Sequence, residues 1–167
     1  MPTRDDDVPD LAAVDAAEAE YTVERRPALG PAFVLLVKRW EAGRRDDETC
    51  LRLLFLAWYA CAEPAFLTGL SGHKAALFLA IDAHFGGRDS THAEFLWAAG
   101  YMASTFAHCI GDEEEWQARG AHYLLRARSL RPEGFAPHHF RGRGAYGQYF
   151  AHIAESGGSE RINAVPG

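Results

Sequence analysis

The chain has 167 residues, of which 48% are hydrophobic and 24% charged, with a formal net charge of −6. That length fits one domain able to bury roughly 70% of the surface its unfolded form exposes. The acidic balance argues against general coating of nucleic acid, and no long apolar run argues for a membrane.

The elements predicted from the sequence are helical throughout. Asp10 caps a first helix from Leu11 to about Glu24, followed by the breaker "RPALGP". Pro31 suits the first turn of a second helix, and Gly43 is placed to end it. The third is carried by "LRLLFLAWYACAEPAFLTGL", residues 51–70. Its uncharged run from Leu53 to Ala62 covers about 15 Å as helix against the ~30 Å of a bilayer interior, so it cannot span. Glu48, Arg52, Tyr59 and Glu63 share one narrow stripe of the helical wheel, and the rest is apolar or small. The pattern predicts a central core helix with a thin strip reaching water, stopped or kinked at Pro64.

A fourth helix is predicted from about His73 to Phe85, closed by Gly86-Gly87. Asp89, Ser90 and Thr91 are the candidate caps of a fifth that reaches about Cys109, with Gly111 after it. Asp112 caps a sixth. Glu113 to Glu115 suit the positive end of its dipole, and Arg126, Arg128 and Arg131 the negative end before Pro132. A last helix covers about Ala145 to Glu155. Residues 1–9 and 157–167 read as flexible ends. No alternating run or Asn-Gly turn signals a strand. The predicted fold is therefore all-α: a single domain, 10–156, of about six to seven antiparallel helices stacked as helical hairpins.

The fifth helix has three faces. Phe95, Ala99, Met102 and Phe106 make a large apolar stripe. Leu96, Gly100, Ala103 and Ala107 make a small-residue stripe that permits close approach of another helix. Glu94, Trp97, Tyr101, Ser104 and His108 make an aromatic and polar face. The last is either a binding groove or a helix–helix seam.

In "GAHYLLRARSLRP", residues 120–132, Gly120, Leu124, Ala127, Leu130 and Pro132 stand at the offsets of the second helix of a tetratricopeptide repeat, and the segment resembles that family. Ala99-Gly100 is the nearest match to the family's first-helix pattern. The resemblance covers one helix, with no second copy at the ~34-residue period. It implies stacked helical hairpins whose inner surface binds a peptide or protein segment.

Catalytic signals are sparse. Of eight histidines, none forms an HxxxH pair or a Glu-x-x-His pair suited to a metal. His73, His84, His108 and His122 are the only ones that folding would have to converge. His138 and His139 are adjacent in a loop. Cys50, Cys61 and Cys109 form no CxxC. Their odd number, with no apolar leader in "MPTRDDDVPD", points to a reducing cytoplasm. Ser71 in "GLSGH" lacks both the spacing and the strand context of a nucleophile elbow. Glu63, at the end of a buried helix, is either a functional carboxylate or a structural partner of an arginine. "HHFRGRGAYGQYF" mixes arginine, glycine and aromatics. It reads either as a weak RNA- or acid-binding element or as a turn whose aromatics cap the core.

The expected function is a non-catalytic cytoplasmic binding module for a peptide or protein. Trp97, Tyr101, Ser104 and His108 would line its groove, with Tyr59 and Glu63 as polar contacts. No cofactor, metal, membrane or nucleic acid is expected. A helical-bundle hydrolase with a His/carboxylate site and a self-associating structural protein are the alternatives.

Overall fold

Caps and breakers set the helix boundaries. In a computed structural model, residues 7–24 and 28–157 are described, and eight α-helices with no strand occur among them. The chain is all-α. Residues 1–6 and 158–167 of the predicted ends, and part of the breaker after the first helix, lie outside the described residues. Backbone contacts divide the chain into two compact units, Met1–Lys74 and Ala75–Gly167.

The first unit holds α1 (Leu11–Glu24), α2 (Leu29–Glu41), α3 (Asp47–Ala62) and the single turn α4 (Ala65–Thr68). Asp10 caps α1 by accepting from the Ala13 N–H at 2.8 Å. α2 starts two residues before Pro31, because the first turn of a helix needs no donor there. Gly43 follows its end with φ +82, a conformation that glycine adopts without strain. Asp46 caps α3 through the Thr49 N–H (2.9 Å) and hydroxyl (2.8 Å). Arg39 of α2 reaches the same carboxylate (2.8 Å), the Thr49 hydroxyl (2.8 Å) and the Pro9 carbonyl (2.7 Å). Burial works to raise the Asp46 carboxyl, but the Thr49 bonds and the Arg39 charge outweigh it and hold it below its usual range.

α3 is the predicted core helix, buried without a break from Thr49 to Trp58. One member of its expected watery strip is not wet. Arg52 is 2% exposed, because Asp15 of α1 takes its guanidinium at 2.6 Å and Glu48 approaches at 3.7 Å. Tyr21 and Tyr59 hydroxyls also meet at 3.3 Å. These contacts climb α1 and α3 together, so the two helices run in the same direction with α2 reversed between them. Glu63 is extended (φ −125, ψ 146), as the residue before a proline tends to be. Pro64 then opens α4.

The second unit holds α5 (Ala75–Phe85), α6 (Ala93–Thr105), α7 (Glu113–Leu130) and α8 (Gly144–Glu155), with 3-10 turns at Gly87–Asp89, Ala107–Cys109 and Pro137–Phe140. The cap of α6 is neither Asp89, Ser90 nor Thr91. It is His92, whose Nδ1 accepts from the Phe95 N–H at 3.1 Å while its ring packs on Phe85. α6 also ends earlier than predicted. Ser104 and Thr105 donate their hydroxyls to the Gly100 and Tyr101 carbonyls (2.8 and 2.9 Å), a bonding pattern that weakens a helix. The chain leaves the helix at Phe106, which is 37% exposed and not part of the buried stripe.

α6 and α7 cross closely through their small residues. A Cβ at Gly100 would stand 3.1 Å from the Gly120 carbonyl oxygen, and one at Gly120 would stand 2.9 Å from the Ala103 Cβ. Phe95 meets Tyr123 further along, so the two helices are antiparallel. Phe78 meets Trp116 and Asp82 meets Arg119 and Tyr123, which makes α5 parallel to α7. Glu94 meets Tyr146, and Trp97 and Tyr101 meet Phe150, which makes α6 parallel to α8.

Candidate functional site

The aromatic and polar face of α6 meets α8 over its first two turns. Trp97 is 5% exposed and lies among Phe135 (5.6 Å), Phe140 (5.3 Å) and Phe150 (5.3 Å between ring centroids). Here the face is a seam. One turn on, Tyr101 is half-buried, edge-on to Tyr149 (6.2 Å) and Phe150 (5.9 Å). Ser104 and His108 are exposed. The face therefore changes from core to surface along its length, with the Tyr101–Tyr149 pair at the transition. Tyr59 and Glu63, both half-buried, belong to the first unit.

The densest polar constellation of the second unit was only half visible in the sequence. Glu94 lies on the predicted face, but its partners come from the loop and helix 45 to 52 positions later. Its Oε1 accepts from the Tyr146 hydroxyl at 2.7 Å and lies 2.7 Å from an Arg143 guanidinium nitrogen. Its Oε2 pairs with His139 Nε2 at 2.7 Å. Burial acts to raise the Glu94 carboxyl, yet the His139 and Tyr146 hydrogen bonds and the Arg143 charge together hold it below its ordinary value. His139 itself packs between Phe135 and Phe140. As adjacency in a loop implies, His138 and His139 point apart: His138 is exposed and His139 half-buried.

A second carboxylate cluster joins α5 to α7. Asp82 accepts from the Tyr123 hydroxyl at 2.6 Å and from Arg119 at 3.0 Å. The backbone of Gly87 lies so close that a Cβ there would be 2.9 Å from Arg119. Here desolvation dominates and raises the Asp82 carboxyl, despite Tyr123 and Arg119. The Tyr123 phenol is pushed up by burial and by its bond to Asp82.

Most of the arginines clustered in the sequence near the C-terminus are engaged. Arg126 donates to the Ser90 carbonyl at 2.6 Å, Arg131 to the Gly134 carbonyl at 2.9 Å, and Arg143 faces Glu94. Tyr146 and Phe150 of the same stretch are buried, so these aromatics cap the core. His73, His84, His108 and His122 are all exposed. No helix of the described residues is long and apolar enough to cross a membrane.

Compared with protein-family models, curated proteins and solved structures, the chain has no match. The Tyr101–Tyr149 surface offers aromatic faces and hydroxyls suited to contact. The Glu94 cluster offers a carboxylate-oriented imidazole, with the carboxylate held by three groups.

Proposed function

We propose that the protein is a non-catalytic helical binding module that recognises a peptide or protein segment. The observation that carries this reading is the half-buried Tyr101–Tyr149 pair, where the aromatic face of α6 emerges beside exposed Ser104 and His108. Rigid tyrosines present large amphipathic area at small entropic cost, which suits recognition. The alternation of helix direction in each unit is compatible with tetratricopeptide-like hairpin stacking, whose repeats bind such segments along their inner helices.

Affinity capture from native lysate tests it. Wild type is expected to retain a defined set of proteins that Tyr101→Ala/Tyr149→Ala loses. Capture of the same proteins by both contradicts the groove.

The hydrolase alternative has one observation in its favour, the 2.7 Å His139–Glu94 pair. Ester or peptide turnover abolished by His139→Ala would place it first.

A further inference from the structure

The connection from α7 to α8 crosses the Trp97 side of α6, and it is secured unevenly. Its far end is keyed to α8. Phe140 is fully buried, and its carbonyl oxygen occupies the space a Cβ on Gly147 would need. The near end turns at Gly134, with φ +68 and nothing within 4 Å of where a Cβ would stand. Between these points the backbone bonds are local, His139 N–H to the Ala136 carbonyl (3.0 Å) and Gly134 N–H to the Arg131 carbonyl (3.0 Å). Two side-chain contacts tie this stretch to α6. The Phe135 ring lies on Trp97, and His139 pairs with Glu94 Oε2.

The Trp97 indole is packed against Phe135, Phe140 and Phe150, and its N–H has no acceptor among the described residues, although the residue is 5% exposed. A buried donor left unpaired is costly, and such groups in folded proteins call for an explanation.

We propose that residues 135–139 form a flap that lifts from α6, with the His139–Glu94 pair as its latch. The lifted flap admits an apolar peptide side chain whose neighbouring backbone carbonyl accepts from Trp97 Nε1–H. This rests on the peptide-binding reading and extends it by naming the donor and the gate. The geometry of Glu94 makes the latch separable. Lifting the flap releases Oε2 of Glu94 and the Arg143 bond to the His139 carbonyl (3.4 Å), while Oε1 keeps Tyr146 and Arg143 and leaves α8 in place. Aromatic walls from Trp97 and Phe150 fit an apolar side chain, and the indole donor fits a carbonyl. The fraction of lifted flap sets the apparent affinity, which weakens in proportion as that fraction falls.

Hydrogen exchange at the Trp97 indole N–H reads the flap directly, by NMR on the full chain, with the resonance assigned through Trp97→Phe. His139→Ala is expected to speed that exchange by about ten- to a hundredfold, the equilibrium factor of one hydrogen bond to a charged group. The α6 and α7 backbone amides should keep their protection. His139→Gln, which retains a donor towards Glu94, should restore the slow rate. Phe135→Ala, which removes the flap's own ring from Trp97, gives the same readout if His139→Ala is too unstable to isolate. N-acetyl-phenylalaninamide, as an apolar probe with a carbonyl, should shift the Trp97 indole resonance, at lower concentration in His139→Ala than in wild type. Equal indole exchange in the wild type and the flap variants, or exchange that follows the α6 amides through global unfolding, overturns the gate. A probe that moves no Trp97 resonance in any of these proteins overturns the occupant. Either result is distinct from a failed capture by the Tyr101–Tyr149 surface, which this experiment does not use.

Discussion

Two buried carboxylates of the second unit respond to pH with opposite signs. Glu94 is held below its ordinary value of 4.5. It therefore contributes stability that is present above that value and lost as pH falls through its lowered folded value. Asp82 is raised above its ordinary 3.8. Its contribution is present below that value and lost as pH rises through the raised one. Urea unfolding at a series of pH values checks both. Relative to wild type, Glu94→Gln should be most destabilised at neutral pH and recover as pH falls. Asp82→Asn should gain on wild type as pH rises. Equal pH slopes for the two variants would contradict the assignments. At neutral pH Glu94→Gln is expected to cost about 2–3 kcal/mol, because Arg143 loses the charge it faces and hydrogen bonds to a charged group are worth about that much. Neither sign was legible in the sequence. Glu94 stood on a recognisable helix face, but His139, Arg143 and Tyr146 reach it through a turn whose path periodicity does not encode. Tyr123 and Arg119 meet Asp82 only once α5 and α7 lie side by side.

Packing between elements turns on glycines that the sequence did expose. The small-residue stripe on α6 announced a close neighbour, and Gly120 of α7 is the residue that meets it. Gly100→Ala would place its Cβ 2.8 Å from the Leu124 Cγ. Overpacking of this kind typically costs about 1–3 kcal/mol, which outweighs the ~1 kcal/mol gained from alanine's higher helix propensity. Gly147→Ala is expected to cost more, because its Cβ meets the Phe140 backbone carbonyl, not a flexible side-chain end. Gly43→Ala meets no atom within 4 Å and should show only the strain of its positive φ. Thermal melts of the three variants should rank the losses Gly147, Gly100, Gly43, and a reversed order would contradict the packing account. Element boundaries were read well where a side chain caps locally, as with Asp10 and Asp112. They were misplaced at α6, where His92 caps by leaning on Phe85 and where Ser104 and Thr105 loosen the last turn from within. The wet strip expected on α3 failed at Arg52 because its partner, Asp15, lies 37 positions away on another helix.

Across the molecule, alternate helices of like direction are tied by an arginine and a carboxylate. Asp15 and Arg52 join α1 to α3, Asp82 and Arg119 join α5 to α7, and Glu94 and Arg143 join α6 to α8. These ties fix which faces meet, and they leave the Tyr101–Tyr149 pair at the edge of the seam of α6 and α8. Helical periodicity made the all-α class legible from the start. What it left open was whether the aromatic face of α6 was groove or seam, since helical spacing gives a residue's face but not what covers it. Trp97 went to the seam, and Tyr101 to its edge. A photo-reactive benzoylphenylalanine at exposed Thr105, one turn beyond Tyr101, tests most directly whether that edge is a binding surface. Irradiation in the native lysate should yield a discrete cross-linked protein that disappears when Tyr149→Ala is added. Cross-links that are absent, or unchanged by Tyr149→Ala, would contradict it.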